Sequence, residues 1–359
     1  MGLKLTILSR YSRLGASSRL RTLAYLPFLN AAGFEVTCTS FFDDDHLKQI
    51  YSNQLKKTSI PRYYSNRALH CLDARKSDVI WIEKEAFPWM PWALERLALP
   101  RSIPIISDYD DALFHQYDLH SNSFVRAVLG RKIDRVMQNS DLVTAGNSYL
   151  ANRAKAAGAK QVEIVPTVVD ATAYWPQTPT HANGKLRIGW IGTPQTWGKY
   201  GTPNITFFRD FAKKHNVIFR IIGASLSATH DNEFEYLPWT EPNEVSLIQG
   251  MHIGIMPLTD SPWERGKCGY KLIQYMACGL PVVASPVGVN GEIVEHGING
   301  LLAKNIDEWQ STLARLVSDP QLRAAMGAAG RKKVLDHYSL QAQGPRLVKL
   351  IAEVAASRC

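Results

Sequence analysis

Short apolar runs recur through the first half of the chain. LKLTILS (3–9), FEVTCTS (34–40), DVIWIE (78–83), IPIISDYD (103–110), DLVTAG (141–146) and VEIVPT (162–167) have the length and β-branched content of buried strands. Segments of helical character separate them, the first from about Ser17 to Ala32 with Gly33 as its stop. Apolar strands alternating with helices predict a parallel sheet covered on both faces. A break follows at YWPQTPTHANGK (174–185), whose prolines, glycine and polar residues have linker chemistry. The pattern then restarts with LRIGWIG (186–192), VIFRIIGA (217–224), HIGIMPL (252–258) and PVVASPV (281–287), and the rest beyond about residue 305 reads as helix.

The expected architecture is therefore α/β, with two Rossmann-like units in succession. Residues 1–176 form the first domain, 177–185 the linker and 186–338 the second, and a last helix over 339–359 can pack back on the first domain. In such sheets ligands bind outside the carboxyl ends of the strands, here in a cleft between two facing domains. The opening MGLKLTILSRYSRLG has too short an apolar core for a signal peptide and no small-residue cleavage site, so it reads as the first strand.

Composition adds three constraints. The 359 residues are 45% apolar and 20% charged, and no run of 18 apolar residues marks a membrane-spanning helix. Five cysteines (Cys38, Cys71, Cys268, Cys278, Cys359) are scattered without C-x-x-C spacing, which suits reduced thiols in the cytoplasm and no zinc site. Net charge is +9, and residues 48–76 hold seven Lys/Arg against one Asp, interleaved with Tyr51, Leu55, Ile60, Tyr63 and Tyr64. That segment suits an anionic membrane surface, with Ile60, Tyr63 and Tyr64 as interfacial anchors; a solvated face is the alternative. No nucleic-acid motif accompanies it, so no nucleic-acid partner is expected.

Three stretches carry chemistry. In GKCGYKLIQYMACGLPVVAS (266–285), Gly269–Cys278 reads as a helix stopped by Gly279 and Pro281, with Lys267 before it and Lys271 in its first turn. Cations at a helix N-terminus reinforce the positive potential there, which makes sense for a phosphate ligand; two solvated lysines are the alternative. SDYDDALFHQYD (107–118) follows the strand IPII, so Asp108, Asp110 and Asp111 should face the ligand, with His115 either a sugar contact or a packing histidine. Asp108-Tyr109-Asp110 is a D-x-D triplet, but metal ligation is not the preferred reading. In SRLGASSRLR (12–21), Gly15 permits close backbone approach, Ser17 or Ser18 can cap a helix, and Arg19 lies in its first turn. The absence of G-x-G-x-x-G weighs against a dinucleotide oxidoreductase.

The stretch KLIQYMACGLPVVASPVGVNGEIVEHGINGLL resembles the donor-binding signature of retaining glycosyltransferases of the GT-B fold, family 4 in the carbohydrate-enzyme classification. Gly279–Pro281, Ser285, Gly288, Glu292–Val294 and Gly297–Gly300 carry the match. LRIGWIGTPQTWGKY is similar to the first strand and loop of that family's C-terminal domain, and SRYSRLGASSRLRTLAYLPFLNAAGFEV resembles the N-terminal opening in a bacterial cell-surface polysaccharide branch. The likeness is strong over residues 186–303 and weaker but collinear over 3–176. One departure stands out. Where the family shows two glutamates, this chain has Gly266 and Gln274, with Glu264 two residues from the first position.

The resemblance implies transfer of a sugar from a UDP- or GDP-sugar to a glycan acceptor, usually lipid-linked, with retention of configuration and no metal, in lipopolysaccharide or exopolysaccharide synthesis. It implies a cytoplasmic enzyme, peripheral on the inner membrane face. The donor site would comprise Gly192, Thr193, Lys199, Gly269, Tyr270, Gln274 and Glu292, with Lys267 and Lys271 on the diphosphate. Asp108 and Asp110 join those two lysines as the expected catalytic groups, and Gly15, Arg19, Asp111 and His115 would line the acceptor side. A GT-B nucleotide-sugar epimerase and a catalytically silent relative are the competing readings.

Overall fold

In the computed structural model, residues 2–51, 60–177, 184–224 and 231–357 are described. Residues 178–183 of the expected linker, Leu55, Lys56 and Lys57 of the basic segment, and Cys359 lie outside them.

The chain divides into two compact units. The first comprises residues 1–167, 266–268 and 343–359, and the second 168–265 and 269–342. Each is built on a six-stranded parallel sheet flanked by helices. In the first, β1 (Lys4–Tyr11), β2 (Glu35–Phe42), β3 (Val79–Glu83), β4 (Ile105–Tyr109), β5 (Leu142–Ala145) and β6 (Val162–Ile164) lie in the order β2-β1-β3-β4-β5-β6. In the second, β7 (Leu186–Ile191), β8 (Val217–Ile222), β9 (Phe234–Leu237), β10 (Ile253–Met256), β11 (Val282–Ala284) and β12 (Gly300–Leu302) lie in the order β12-β11-β10-β7-β8-β9. The α/β expectation of two Rossmann-like units holds.

Burial explains the strands. VIWIE of β3 is buried at every position, so both sheet faces are covered and the run needs no polar alternation. The edge strands β9 and β12 were not legible in the sequence, because runs of four and three residues carry too little periodicity.

Chain order reverses beside β1 in the first sheet and beside β7 in the second. The carboxyl ends of β1 and β3, and of β7 and β10, are thus the switch points where ligands bind in open α/β sheets.

The expected anchors of the basic segment need correction. Tyr63 and Tyr64 pack against the core around Phe41, and the Tyr63 hydroxyl donates to Asp43 Oδ1 at 3.1 Å. Arg67 is buried, donating to the carbonyls of Ser9 (2.5 Å) and Thr39 (3.4 Å). On this helix (Ile60–Asp73) the exposed apolar side chains are Leu69 and Leu72 instead.

Candidate functional site

At the switch point of the first sheet, β3 runs directly into the charged triplet Glu83-Lys84-Glu85. Lys84 leaves the strand in the left-handed region, φ 67°, and is buried. A non-glycine residue in that conformation costs on the order of 1–3 kcal/mol, so its surroundings must hold it there. They do so through charge. Lys84 Nζ lies 2.9 Å from Asp110 Oδ1 and 3.8 Å from Asp111 Oδ2. The Ser17 hydroxyl is within hydrogen-bonding distance of both Asp110 Oδ2 (2.7 Å) and Glu83 Oε1 (2.8 Å), and Ser18 donates to Glu83 Oε2 at 2.5 Å.

The two neighbouring carboxylates are driven in opposite directions. Burial pushes the Asp110 carboxyl up, but Lys84 and then Arg21 outweigh it and hold it below the usual range. Burial and the charge of Asp110 raise Asp111, against Lys84 and Lys267. Lys84 itself is lifted by Asp110 and Asp111 despite burial, which works the other way. Two acids on the loop after β4 and a cation on the loop after β3, with the acids' proton affinities pushed apart, can orient a hydroxyl group by hydrogen bonds.

Asp108, the first acid of D-x-D, has a different task. It is 1% exposed, and Arg21 grips it in a fork with Nε–Oδ2 of 2.9 Å and Nη2–Oδ1 of 2.6 Å. Thr144 donates to Oδ1 at 2.6 Å, and Arg21 also donates to the Val165 carbonyl at 2.7 Å. Asp108 therefore ties the helix Ala16–Arg21 to β4, β5 and the loop after β6. Among the described residues no three His, Cys, Asp or Glu side chains converge as a metal ion would require.

The other expected residues of this unit are placed as follows. Gly15 is buried where a Cβ would meet the Tyr11 side chain at 2.3 Å, which accounts for glycine there. Arg19 reaches the Arg13 carbonyl at 3.4 Å. His115 has Nδ1 2.8 Å from Asp118 and Nε2 2.8 Å from the Tyr149 hydroxyl, so both ring nitrogens are engaged in packing contacts. Lys267 belongs to this unit because Asn147 Nδ2 donates to the carbonyls of Gly266 and Lys267, each at 3.0 Å. Gly266 sits so close to Ala112 that a Cβ would lie 2.4 Å from the alanine Cβ. The position of the missing first glutamate is thus a packing glycine.

In the second unit the helix Tyr270–Ala277 lies against β7, and its Tyr275 hydroxyl accepts from the Ile191 amide at 3.0 Å. No side chain caps its first turn, where Gly269 takes φ 64°. Lys271 Nζ stands 5.3 Å from the centre of the Trp190 ring. That ring also limits the β7 loop: a Cβ on Gly192 would come within 2.6 Å of it. Thr193 then opens the helix Pro194–Tyr200 with a capping box to Thr196. Lys271 and Gly192 are thereby assembled around one tryptophan at the second switch point, with Thr193 next in the loop.

Lys199 pairs with Glu264, whose carboxylate also accepts from Tyr200 and Ser261. Burial would raise Glu264, yet the hydrogen bonds from Lys199, Ser261 and Tyr200 prevail and bring it down to about 2. Gln274 is buried and donates to the Tyr174 hydroxyl at 3.1 Å, and Tyr174 in turn donates to Glu244. Glu292 is exposed on the short helix Asn290–Ile293, its carbonyl accepting from Lys333 at 2.7 Å.

Sequence reasoning passed over Lys84, Glu83 and Arg21. The triplet EKE, which ends the apolar run VIWI, was the available signal for the first two, since charge at a strand's carboxyl end marks a site rather than a core.

Comparison with known proteins bears on the fold and on the second unit's domain type. The family model described as Glycosyl transferases group 1 matches residues 204–319. Over 86 residues the chain is 35% identical to a GDP-mannose-dependent alpha-(1-6)-phosphatidylinositol monomannoside mannosyltransferase of Mycolicibacterium smegmatis, covering 23% of this chain. The chain spans 22% of that relative's length. Among solved structures, sucrose-phosphate synthase of Thermosynechococcus elongatus superposes with a TM-score of 0.72 at 14% identity, covering 99% of this chain and 100% of the other. HepE of Anabaena, solved in complex with UDP, gives 0.70 at 15% identity over 98% and 100%.

Proposed function

Because the chain carries a glycosyl transferases group 1 domain within a GT-B fold, we propose that it transfers a sugar from a nucleotide-sugar donor to a glycan acceptor with retention of configuration. The observation that carries this reading is the grouping of Lys271 and Gly192 about Trp190, beside an uncapped helix N-terminus. Such a site offers backbone N–H groups, a helix dipole and a cation to a diphosphate.

A departing nucleoside diphosphate gains negative charge in the transition state, and preorganised donors stabilise it without reorganising water. Lys271, Tyr270, Gly269 and the Gly192–Thr193 loop take that role, with Lys199 held in place by Glu264. On the acceptor side, which Arg19 would line, Asp110 and Asp111 orient the attacking hydroxyl, Lys84 fixes both carboxylates, and Lys267 balances the charge of Asp111. The diphosphate receives the hydroxyl proton, so no protein nucleophile is needed. Asp108 is a positioning residue. With Asp108 committed to Arg21 and Thr144, the D-x-D carboxylates are not jointly available to a cation, which supports turnover without a metal. Gln274 and Glu292 complete the donor side.

The acceptor in this reading is a lipid-linked glycan at the inner membrane face, and the basic segment 48–76 faces anionic lipid there. HepE, solved with UDP, supports a nucleotide donor, and the mannosyltransferase whose name includes phosphatidylinositol monomannoside supports a lipid-linked acceptor. The test is titration with UDP and GDP, followed by incubation with a panel of their sugars and lipid-linked glycans, with and without excess chelator. Sugar appearing on the acceptor supports the proposal. Release of an epimerised sugar nucleotide without acceptor makes the protein an epimerase, failure to bind any nucleotide makes it a silent relative, and loss of transfer in chelator restored by Mn²⁺ overturns metal independence.

A further inference from the structure

The loops leaving β3 and β4 carry an apolar surface that the proposed chemistry does not use. Phe124 is 72% exposed, Leu119 59% and Trp89 and Val128 45% each. Trp89 joins the two loops: its ring lies 5.2 Å from that of Tyr117 and 5.8 Å from that of His120. Its backbone amide donates to the Tyr117 hydroxyl at 3.0 Å, and its φ of 61° is left-handed. The indole is thus held out toward solvent at a conformational cost. Phe124 and Val128 are four residues apart on the helix Ser123–Leu129 and share one face. Arg126 ties that helix back to the loop, donating to the carbonyls of His120 (2.6 Å) and Ser121 (2.9 Å).

Charge around the surface has one sign. From Leu119 to Ile133 the chain has no Asp or Glu, while Arg126 and Arg131 are exposed. Between Ala86 and Ala98 the acidic residue is Glu95, which is buried against Lys132 at 3.1 Å. Projecting aromatic and aliphatic side chains flanked by Arg126 and Arg131, with the neighbouring Asp118 paired to His115 and Arg153, match the interface of an anionic bilayer. Among the described residues no helix is long and apolar enough to cross a membrane.

We propose that Trp89, Leu119, Phe124 and Val128 insert into the headgroup region of an anionic membrane, with Arg126 and Arg131 on the lipid phosphates. This deepens the reading of a membrane-borne acceptor and rests on it for its purpose, though not for its test. It moves the insertion point from the basic segment to the loops that also carry Lys84, Asp110 and Asp111.

The experiment is co-sedimentation of the full chain with vesicles of phosphatidylglycerol and phosphatidylcholine, at low and high salt. Binding by the wild type is expected, and at high salt Leu119→Ser, Phe124→Ser and Val128→Ser combined should reduce the bound fraction about tenfold or more. Phe124→Glu alone, at the most exposed of the four positions, should do the same and guards against a misfolded triple variant. Equal binding by wild type and both variants, or no binding by the wild type, overturns the proposal. So does a wild-type dimer in solution that Phe124→Glu dissociates while vesicles bind neither form, since the face would then belong to a second copy. UDP titration of the same preparations separates the two readings: vesicle binding without UDP binding would strike the transferase and leave the membrane surface standing.

Discussion

Lys84 and Asp110 form a buried ion pair, 2.9 Å from Nζ to Oδ1, across the carboxyl ends of two adjacent parallel strands. The lysine is left-handed, so the pair both relieves a charge and holds a strained backbone. Lys84→Met should leave Asp110 as an uncompensated buried carboxylate and cost about 3–5 kcal/mol. Chemical denaturation reads the loss, which should shrink as acid protonates Asp110. Much of it should return in the double variant with Asp110→Asn.

Glu264 makes a pH prediction with a definite sign. Its carboxyl is lowered from 4.5 to about 2 in the folded state. A depressed acid contributes stability above its unfolded value, and that contribution disappears as pH falls from 4.5 through about 2. The unfolding temperature of the wild type should therefore drop across that window. Glu264→Gln should lack this component of the drop; a variant profile parallel to the wild type across the window would refute the assignment.

Restoring the family glutamate at position 266 should harm the protein. A Cβ there meets Ala112 at 2.4 Å, with the Ala112 amide nitrogen at 2.8 Å. Overpacking of this kind costs about 1–3 kcal/mol, so Gly266→Glu should unfold at lower denaturant and show no gain in nucleotide affinity. Tighter UDP binding in that variant would show that the position still belongs to the donor site.

Lys271→Ala should weaken UDP by about ten- to a hundredfold, since a charge-assisted contact contributes about 1.5–3 kcal/mol. Lys267→Ala should leave UDP affinity nearly unchanged and lower turnover, because Lys267 packs with the first unit beside Asn147. Calorimetric titration of both variants decides it. Equal losses would return the two lysines to a common phosphate site.

Much of this protein is legible in local sequence. The apolar runs become β1 to β6 in order, and the burial of the central strands is written in their own residues, while the edge strands β2 and β6 are only partly covered. The stop of the helix Tyr270–Ala277 was equally readable: Gly279 takes φ 74°, which few other residues adopt at little cost, and Pro281 cannot continue a helix.

What each charged side chain does was decided by tertiary structure alone. Asp108 and Asp110 are two residues apart and look alike, yet one is gripped by Arg21, 87 positions away, and the other by Lys84 on the neighbouring strand. Lys267 and Lys271 are four positions apart, yet Asn147, 120 positions from Lys267, holds the Lys267 backbone carbonyl in the first unit while Lys271 stands over Trp190 in the second. Secondary structure follows from neighbours in sequence, whereas an ion pair depends on which distant backbone brings its partner within a few ångströms. Hydrophobic periodicity carries no record of that choice, which the order of strands in each sheet makes.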